Sequence, residues 1–250
     1  MADAAILEVD GVRKAFGGVR AVDGVGFALP RGEIRALIGP NGAGKTTFFN
    51  VLTGQLAADA GTVRFRGRSI AGLQPWAIWR LGVSRTFQIT ATFATLSVLE
   101  NVQVARLSHA TRTFALLTPA RRLEAGPATV LLEQVGLAEQ RFRPAGVLAY
   151  GDLKKLELAI ALANDPALLL LDEPTAGMAP AERVALMTLT RDIARSRDLT
   201  VLFTEHDMDV VFAIADRIMV LHQGRVIADG LPASVRADRE VQAVYLGDEA

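Results

Sequence analysis

The stretch Gly39-Pro40-Asn41-Gly42-Ala43-Gly44-Lys45-Thr46 follows an apolar run at 34–38 and leads into a helical stretch from about 45 to 52. It fits G-x-x-x-x-G-K-[ST] in the context that pattern needs, strand then loop then helix. Glycines let such a loop curl so that successive N–H groups point inward at phosphate oxygens, where a Cβ would obstruct them. The helix N-terminus adds partial positive charge and Lys45 a point charge, while Thr46 offers a hydroxyl to Mg²⁺. Gly39 through Thr46, with Thr47 behind them, are therefore the candidate ligands to nucleotide phosphates.

Outward from this loop, short apolar runs at 6–9, 19–22 and 25–29 read as strands, as do 61–66 and 82–86. From about 97 to 163 the spacing turns helical, with Val98, Val102 and Ala105 on one face and Val130, Leu131 and Val135 on another. Continuous apolar strands return at 168–171 and 199–203, each fed by a helix (153–163 and 180–195). Uninterrupted apolar strands between helices indicate a parallel sheet covered on both faces. A late hairpin at 218–228, turning at Gln223-Gly224, precedes a short helical tail. Trp76 and Trp79, three apart, are expected to pack a short helix. The fold expected is α/β: one domain over 1–250, with a mostly parallel core and antiparallel β part from 1–88 and 164–230. A helical part spans 89–163 and a tail 231–250.

Half of the 250 residues are apolar, enough for one sizeable core. With no cysteine, disulfides, zinc–thiolate sites and thiol nucleophiles are excluded together. Twenty-seven basic residues balance twenty-seven acidic ones, which leaves no basic footprint for nucleic acid. The chain opens MADAAILEVDGVRK, with no basic leader before an apolar run, and no segment approaches the length of a membrane span.

Leu168-Leu169-Leu170-Leu171-Asp172-Glu173-Pro174 ends an apolar strand in two carboxylates. Burying acids there is costly unless a cation or a reaction uses them. Asp172 is the candidate to hold Mg²⁺ through water and Glu173 the candidate base for the water attacking the γ-phosphate. Val201-Leu202-Phe203-Thr204-Glu205-His206 delivers an imidazole to the same sheet edge, over the crevice where ligands of parallel sheets bind. His109 and His222 lack that setting and read as surface or turn residues. Gln88, at the end of another short strand, can reach Mg²⁺ or the attacking water and signal occupancy to the helical part.

Taken in this order, these residues resemble the ATP-binding cassette (ABC) ATPases over almost the entire chain. The resemblance implies that Gly39–Thr46 is the phosphate loop, Gln88 the Q-loop glutamine, Asp172 and Glu173 the Walker B pair and His206 the switch histidine. It also implies that Phe16 stacks on adenine, and that two such subunits pair head to tail across their nucleotides. The segment Leu148-Ala149-Tyr150-Gly151-Asp152 falls where the family has its Leu-Ser-Gly-Gly-Gln signature, which reads the partner's ATP. Here Ala149 replaces the serine, Tyr150 the first glycine and Asp152 the glutamine; Gly151 and the helix expected from about Asp152 keep the amide-and-dipole contribution. Asp152 is expected to turn its carboxylate aside. The D-loop, Ala176-Gly177-Met178-Ala179, carries alanine where the family has an acid or amide.

The Leu-Ala-Tyr-Gly form, Phe16-Gly17-Gly18, the stretch Asp172-Glu173-Pro174-Thr175-Ala176-Gly177-Met178 and the tail Val244-Tyr245-Leu246-Gly247 are similar to one ATPase of the branched-chain (hydrophobic) amino acid importers. That resemblance implies an ATPase coupling ATP hydrolysis to amino acid uptake at the cytoplasmic face of the bacterial inner membrane. Its implied partners are a second ATPase subunit, in a heterodimer or a homodimer, two permeases bordering residues 93–101, and indirectly a periplasmic binding protein. A urea or amide importer and a lipid or lipopolysaccharide exporter are the alternatives.

Overall fold

The structure is a computed structural model that describes residues 5–86, 92–109 and 123–247. Two long strands, Ala5–Phe16 (β1) and Val19–Pro30 (β2), stand where the apolar spacing predicts three shorter ones. The glycines that break the pattern are absorbed as bulges: the β1–β2 register shifts between Val9 and Arg13, and Gly11 and Gly24 take φ of 57° and 77° there. Ala60–Phe65 (β4) and Arg68–Ser69 (β5), which follow Ile34–Ile38 (β3) in the chain, complete an antiparallel sheet in the order β2-β1-β4-β5.

The second sheet contains β3, Val83–Thr86 (β6), Leu168–Asp172 (β7), Thr200–Thr204 (β8), Arg217–His222 (β9) and Arg225–Gly230 (β10). Its order is β10-β9-β3-β8-β7-β6, parallel throughout except for β10, which pairs antiparallel with β9. Every residue of β3, β7 and β8 is buried, which explains why their sequences are apolar apart from Arg35 and the terminal Asp172, Thr200 and Thr204. Alternate side chains feed two cores. Leu169, Leu171, Val201 and Phe203 join a cluster with the helices, whereas Leu168, Leu170 and Leu202 join one with the antiparallel sheet.

Lys45–Leu52 (α1) packs Phe48 and Phe49 into the second cluster, and Pro75–Arg80 (α2) adds Ile78. Val98–His109 (α3), Ala125–Gln134 (α4), Tyr150–Ala161 (α5), Pro180–Ser196 (α6) and Met208–Ile214 (α7) contribute to the first. That cluster runs without a break from the sheet into the helical part, so α5 packs against the sheet face as well as against α3 and α4. Pro232–Ala237 (α8) and Arg239–Gly247 (α9) form the tail.

Four expectations need correction. Val130 is half exposed; the buried face of α4 is Ala128, Leu131 and Leu132, continued by Val135, the i, i+3, i+4, i+7 set. α5 begins at Tyr150 rather than near Asp152, because Asp152 occupies the third helical position, where a carboxylate also complements the dipole. Neither tryptophan fills the α2 core. Ile78 does, while Trp76 is 61% exposed and Trp79 packs edge-on against His109 at 5.5 Å, so His109 is not a plain surface residue. Both tryptophans line a cavity of about 460 Å³ between α2, β6, α3 and α5.

Candidate functional site

The carboxyl ends of β3, β7 and β8 meet at one edge, held by the parallel pairs Leu37–Thr204 and Asp172–Thr204. The loop after β3 is fixed mainly by the chain itself. A Cβ on Gly39 would lie 2.0 Å from the Leu221 carbonyl oxygen, and one on Gly44 2.0 Å from that of Ala21, with φ of 154° and 104°. Gly42, at φ 78°, has nothing within 4 Å. Of the three glycines, only Gly42 has a Cβ position opening onto free space; the other two are demanded by packing, which amends the reading that phosphate approach requires them all. α1 starts without a side-chain cap, leaving its first-turn amides to a ligand. Lys45 is buried and its Nζ donates to the carbonyls of Gly39 and Pro40 at 2.6 and 3.1 Å. Burial pushes its ammonium below the ordinary lysine range, and the charges of Glu173 and Asp172 partly oppose that shift. Thr46 is exposed beside it.

Asp172 closes β7 at 3% exposure. Its Oδ2 accepts from Arg85 Nη2 at 2.6 Å and its Oδ1 from Thr204 Oγ1 at 3.0 Å. Glu173 takes a left-handed φ of 49°, which for a residue with a Cβ needs outside support. Thr204 supplies some: the Glu173 N–H donates to its carbonyl at 3.2 Å and its hydroxyl at 3.0 Å. So oriented, Glu173 Oε1 lies 2.8 Å from Nε2 of His206, whose ring is half exposed. Glu205, between them in the chain, is buried and accepts from the Thr175 amide at 3.0 Å, the Thr175 hydroxyl at 2.5 Å and the His206 amide at 3.1 Å.

Phe16 ends β1 with its ring 49% exposed and the Lys14 ammonium 5.5 Å from its centroid, so it is available for stacking and fills no core. Gln88 lies outside the described residues. At the start of α5, Ala149 occupies the N-cap position, and Tyr150 donates its hydroxyl to the Ala176 carbonyl at 2.8 Å. A Cβ on Gly151 would meet nothing closer than Glu182 at 3.6 Å, so no contact within the subunit demands that glycine. Asp152 does turn aside, accepting from Gln140 at 2.6 Å and Lys155 at 2.9 Å. Gly177 has φ 79°, Met178 is buried, and Ala179 sits at the N-cap of α6 with no oxygen to offer the helix; Glu182 Oε2 accepts its amide at 3.4 Å.

Residues 22–176 match the family described as ABC transporter. The chain belongs to the ABC transporter family. Residues 225–250 of this cassette also match the family described as branched-chain amino acid ATP-binding cassette transporter. It is 42% identical to the high-affinity branched-chain amino acid transport ATP-binding protein LivG of Salmonella typhimurium, over 97% of this chain and 98% of that one. BraF of Pseudomonas aeruginosa, with the same description, is also 42% identical over the same shares. A crystal structure of the ADP conformation of an ATP-binding cassette superposes with a TM-score of 0.87 at 31% identity, covering 97% and 99% of the two chains. The cassette is accordingly a nucleotide-binding ATPase, a component of transporters that include membrane subunits.

Around the ABC site, sequence reading missed Arg85 and Thr204, which hold Asp172, and Glu205, which ties Thr175 to His206. It also missed Arg183, which donates to the Met178 carbonyl at 2.8 Å and to Asp207 at 3.1 Å. Glu205 carried a usable signal, an acid buried between an apolar strand and a histidine. Arg85 carried none, because its partner is 87 residues away.

Proposed function

We propose that this ABC ATPase drives an importer of branched-chain or other hydrophobic amino acids from the cytoplasmic face of the bacterial inner membrane. The observation that carries the hydrolytic mechanism is the 2.8 Å contact of Glu173 Oε1 with His206 Nε2, beside the lysine of the phosphate loop. Glu173 accepts the proton of the attacking water, and His206 holds that carboxylate and reaches the γ-phosphate. Phe16 stacks on adenine. Lys45 exchanges the Gly39 and Pro40 carbonyls for phosphate oxygens, joining backbone N–H groups of the 41–47 stretch. Among the described residues no three His, Asp or Glu side chains converge on a metal position. The oxygens present, the Thr46 hydroxyl directly and the Asp172 carboxylate through water, suit a Mg²⁺ that would share its coordination with substrate phosphates, with Gln88 as a further ligand. Bound there, Mg²⁺ would neutralise charge that builds on the phosphate oxygens.

The solute follows from the relatives' names and from the matching tail. A second ATPase subunit, a distinct one or a copy of this chain, pairs head to tail so that Ala149, Tyr150, Gly151 and Asp152 face its nucleotide and the D-loop approaches its phosphate loop. Two permeases dock on the helical side, and a periplasmic binding protein delivers the solute. The cavity under Trp76 and Trp79, which reaches α3 at Val104, Ala105 and Ser108, supplies a permease groove that the 93–101 segment borders. Asn101 pins that segment, exchanging hydrogen bonds with the backbone of Phe93 at 2.8 and 3.1 Å.

In proteoliposomes holding the assembled transporter, Glu173→Gln is expected to lower ATP turnover and leucine uptake together by about a hundredfold or more, with ATP binding retained. Unaltered steady-state hydrolysis removes Glu173 from the base role; hydrolysis stimulated by a different solute removes the amino acid assignment.

A further inference from the structure

The tyrosine that replaces glycine in the signature makes a contact that no glycine can make. Its hydroxyl donates to the carbonyl of Ala176 at 2.8 Å, and its ring lies against Gly177, where a Cβ would stand 3.4 Å from that hydroxyl. The amide on the other side of Ala176 donates to the Glu173 carbonyl at 3.1 Å, and the next turn closes from Met178 N–H to the Thr175 carbonyl at 3.1 Å. Two hydrogen bonds in series therefore lead from the first residue of α5 to the backbone of Glu173. That backbone is held at φ 49°, a conformation a non-glycine residue keeps only under constraint. Thr204 grips it on the sheet side, and Arg183 grips the far end of the same loop at Met178.

We propose that Tyr150 is a positioning residue, latching the 176–179 loop and through Ala176 keeping Glu173 in the turn that sets its carboxylate against His206. This rests on the reading of Glu173 as the base. Its consequence is a mechanical tie between the two ends of one subunit. α5 belongs to the core cluster shared by the helical part and one sheet face, so a displacement of its N-terminus by the partner's nucleotide is passed to this subunit's own catalytic turn. Tyr150 itself is 46% exposed, so losing the hydroxyl leaves the core intact.

The test is Tyr150→Phe in the assembled transporter, read by steady-state ATPase and by amide hydrogen exchange across 173–179. The expected result is a kcat lowered about three- to tenfold, the range one such hydrogen bond commands, with KM within about twofold and faster exchange at Ala176 to Met178. The exchange change is also expected in the isolated chain, where no partner nucleotide is present. Lowered kcat with unchanged exchange would mean that the hydroxyl acts on the partner's nucleotide, and overturns the latch; faster exchange with unchanged kcat overturns the positioning role. A Glu173→Gln variant measured alongside separates the two readings: if it loses turnover while Tyr150→Phe does not, the base stands and the latch falls.

Discussion

At the scale of single residues, the phosphate loop separates two uses of glycine that its sequence pattern merges. Gly44 is wedged against the Ala21 carbonyl, whereas Gly42 has the same sign of φ but open surroundings. Gly44→Ala is expected to lower unfolding free energy by more than about 3 kcal/mol, a left-handed cost of about 1–2 kcal/mol plus the clash with a backbone that cannot retreat. Gly42→Ala should cost only the conformational part, about 1–2 kcal/mol, and should weaken ATP binding because its methyl group enters the space a ligand needs. Urea denaturation with and without ATP distinguishes them; equal losses of stability would refute the distinction. Glu173 belongs to the same scale, since its usefulness depends on one backbone angle held by neighbours from another strand.

Among the elements, α5 carries most of what departs from the family pattern. Its first turn has lost the serine and one glycine, yet the carboxylate at its third position is well supported. Burial pushes the Asp152 carboxyl up, but hydrogen bonds from Gln140 and Lys155 and the charges of Lys155 and Arg143 outweigh this and leave it below the usual aspartate range. A depressed carboxyl pKa stabilises the fold above the unfolded value near about 3.9. That contribution disappears as pH falls through the lower folded value. Asp152→Asn should therefore cost about 0.5–1.5 kcal/mol at pH 7, and the gap between variant and parent should close in acid. Denaturation curves at the two pH values check this; a gap independent of pH would place the effect in packing rather than charge.

At the scale of the whole molecule, the described residues present a large apolar opening under Trp76 and Trp79, between the sheet and the helical part. Trp76 is exposed, with the Arg80 guanidinium 5.3 Å from its ring centroid. Trp76→Ala should change stability by no more than about 0.5 kcal/mol and leave ATP binding intact. Loss of a central aromatic anchor worth about 2 kcal/mol should weaken association with the permeases roughly thirtyfold. Co-purification from membranes measures it, and undiminished recovery of the complex would move the docking surface elsewhere.

The chain's own order determined the α/β class, the parallel strands and the positions of Lys45, Asp172, Glu173 and His206, because each lies within a few residues of the apolar run that delivers it. Local spacing suffices for such features: a strand that must be buried on both faces leaves its next residue at the sheet edge. Arg85 against Asp172, Thr204 beneath Glu173, and Tyr150 on Ala176 come from segments 26 to 87 residues apart, and no periodicity encodes them. They exist because sheet register and the seating of α5 bring those backbones within hydrogen-bonding distance. The same reason applies to Trp76 and Trp79, whose spacing suggests a packed helix. Only the tertiary placement of α2, with Ile78 turned to the core, leaves both rings facing an open cavity.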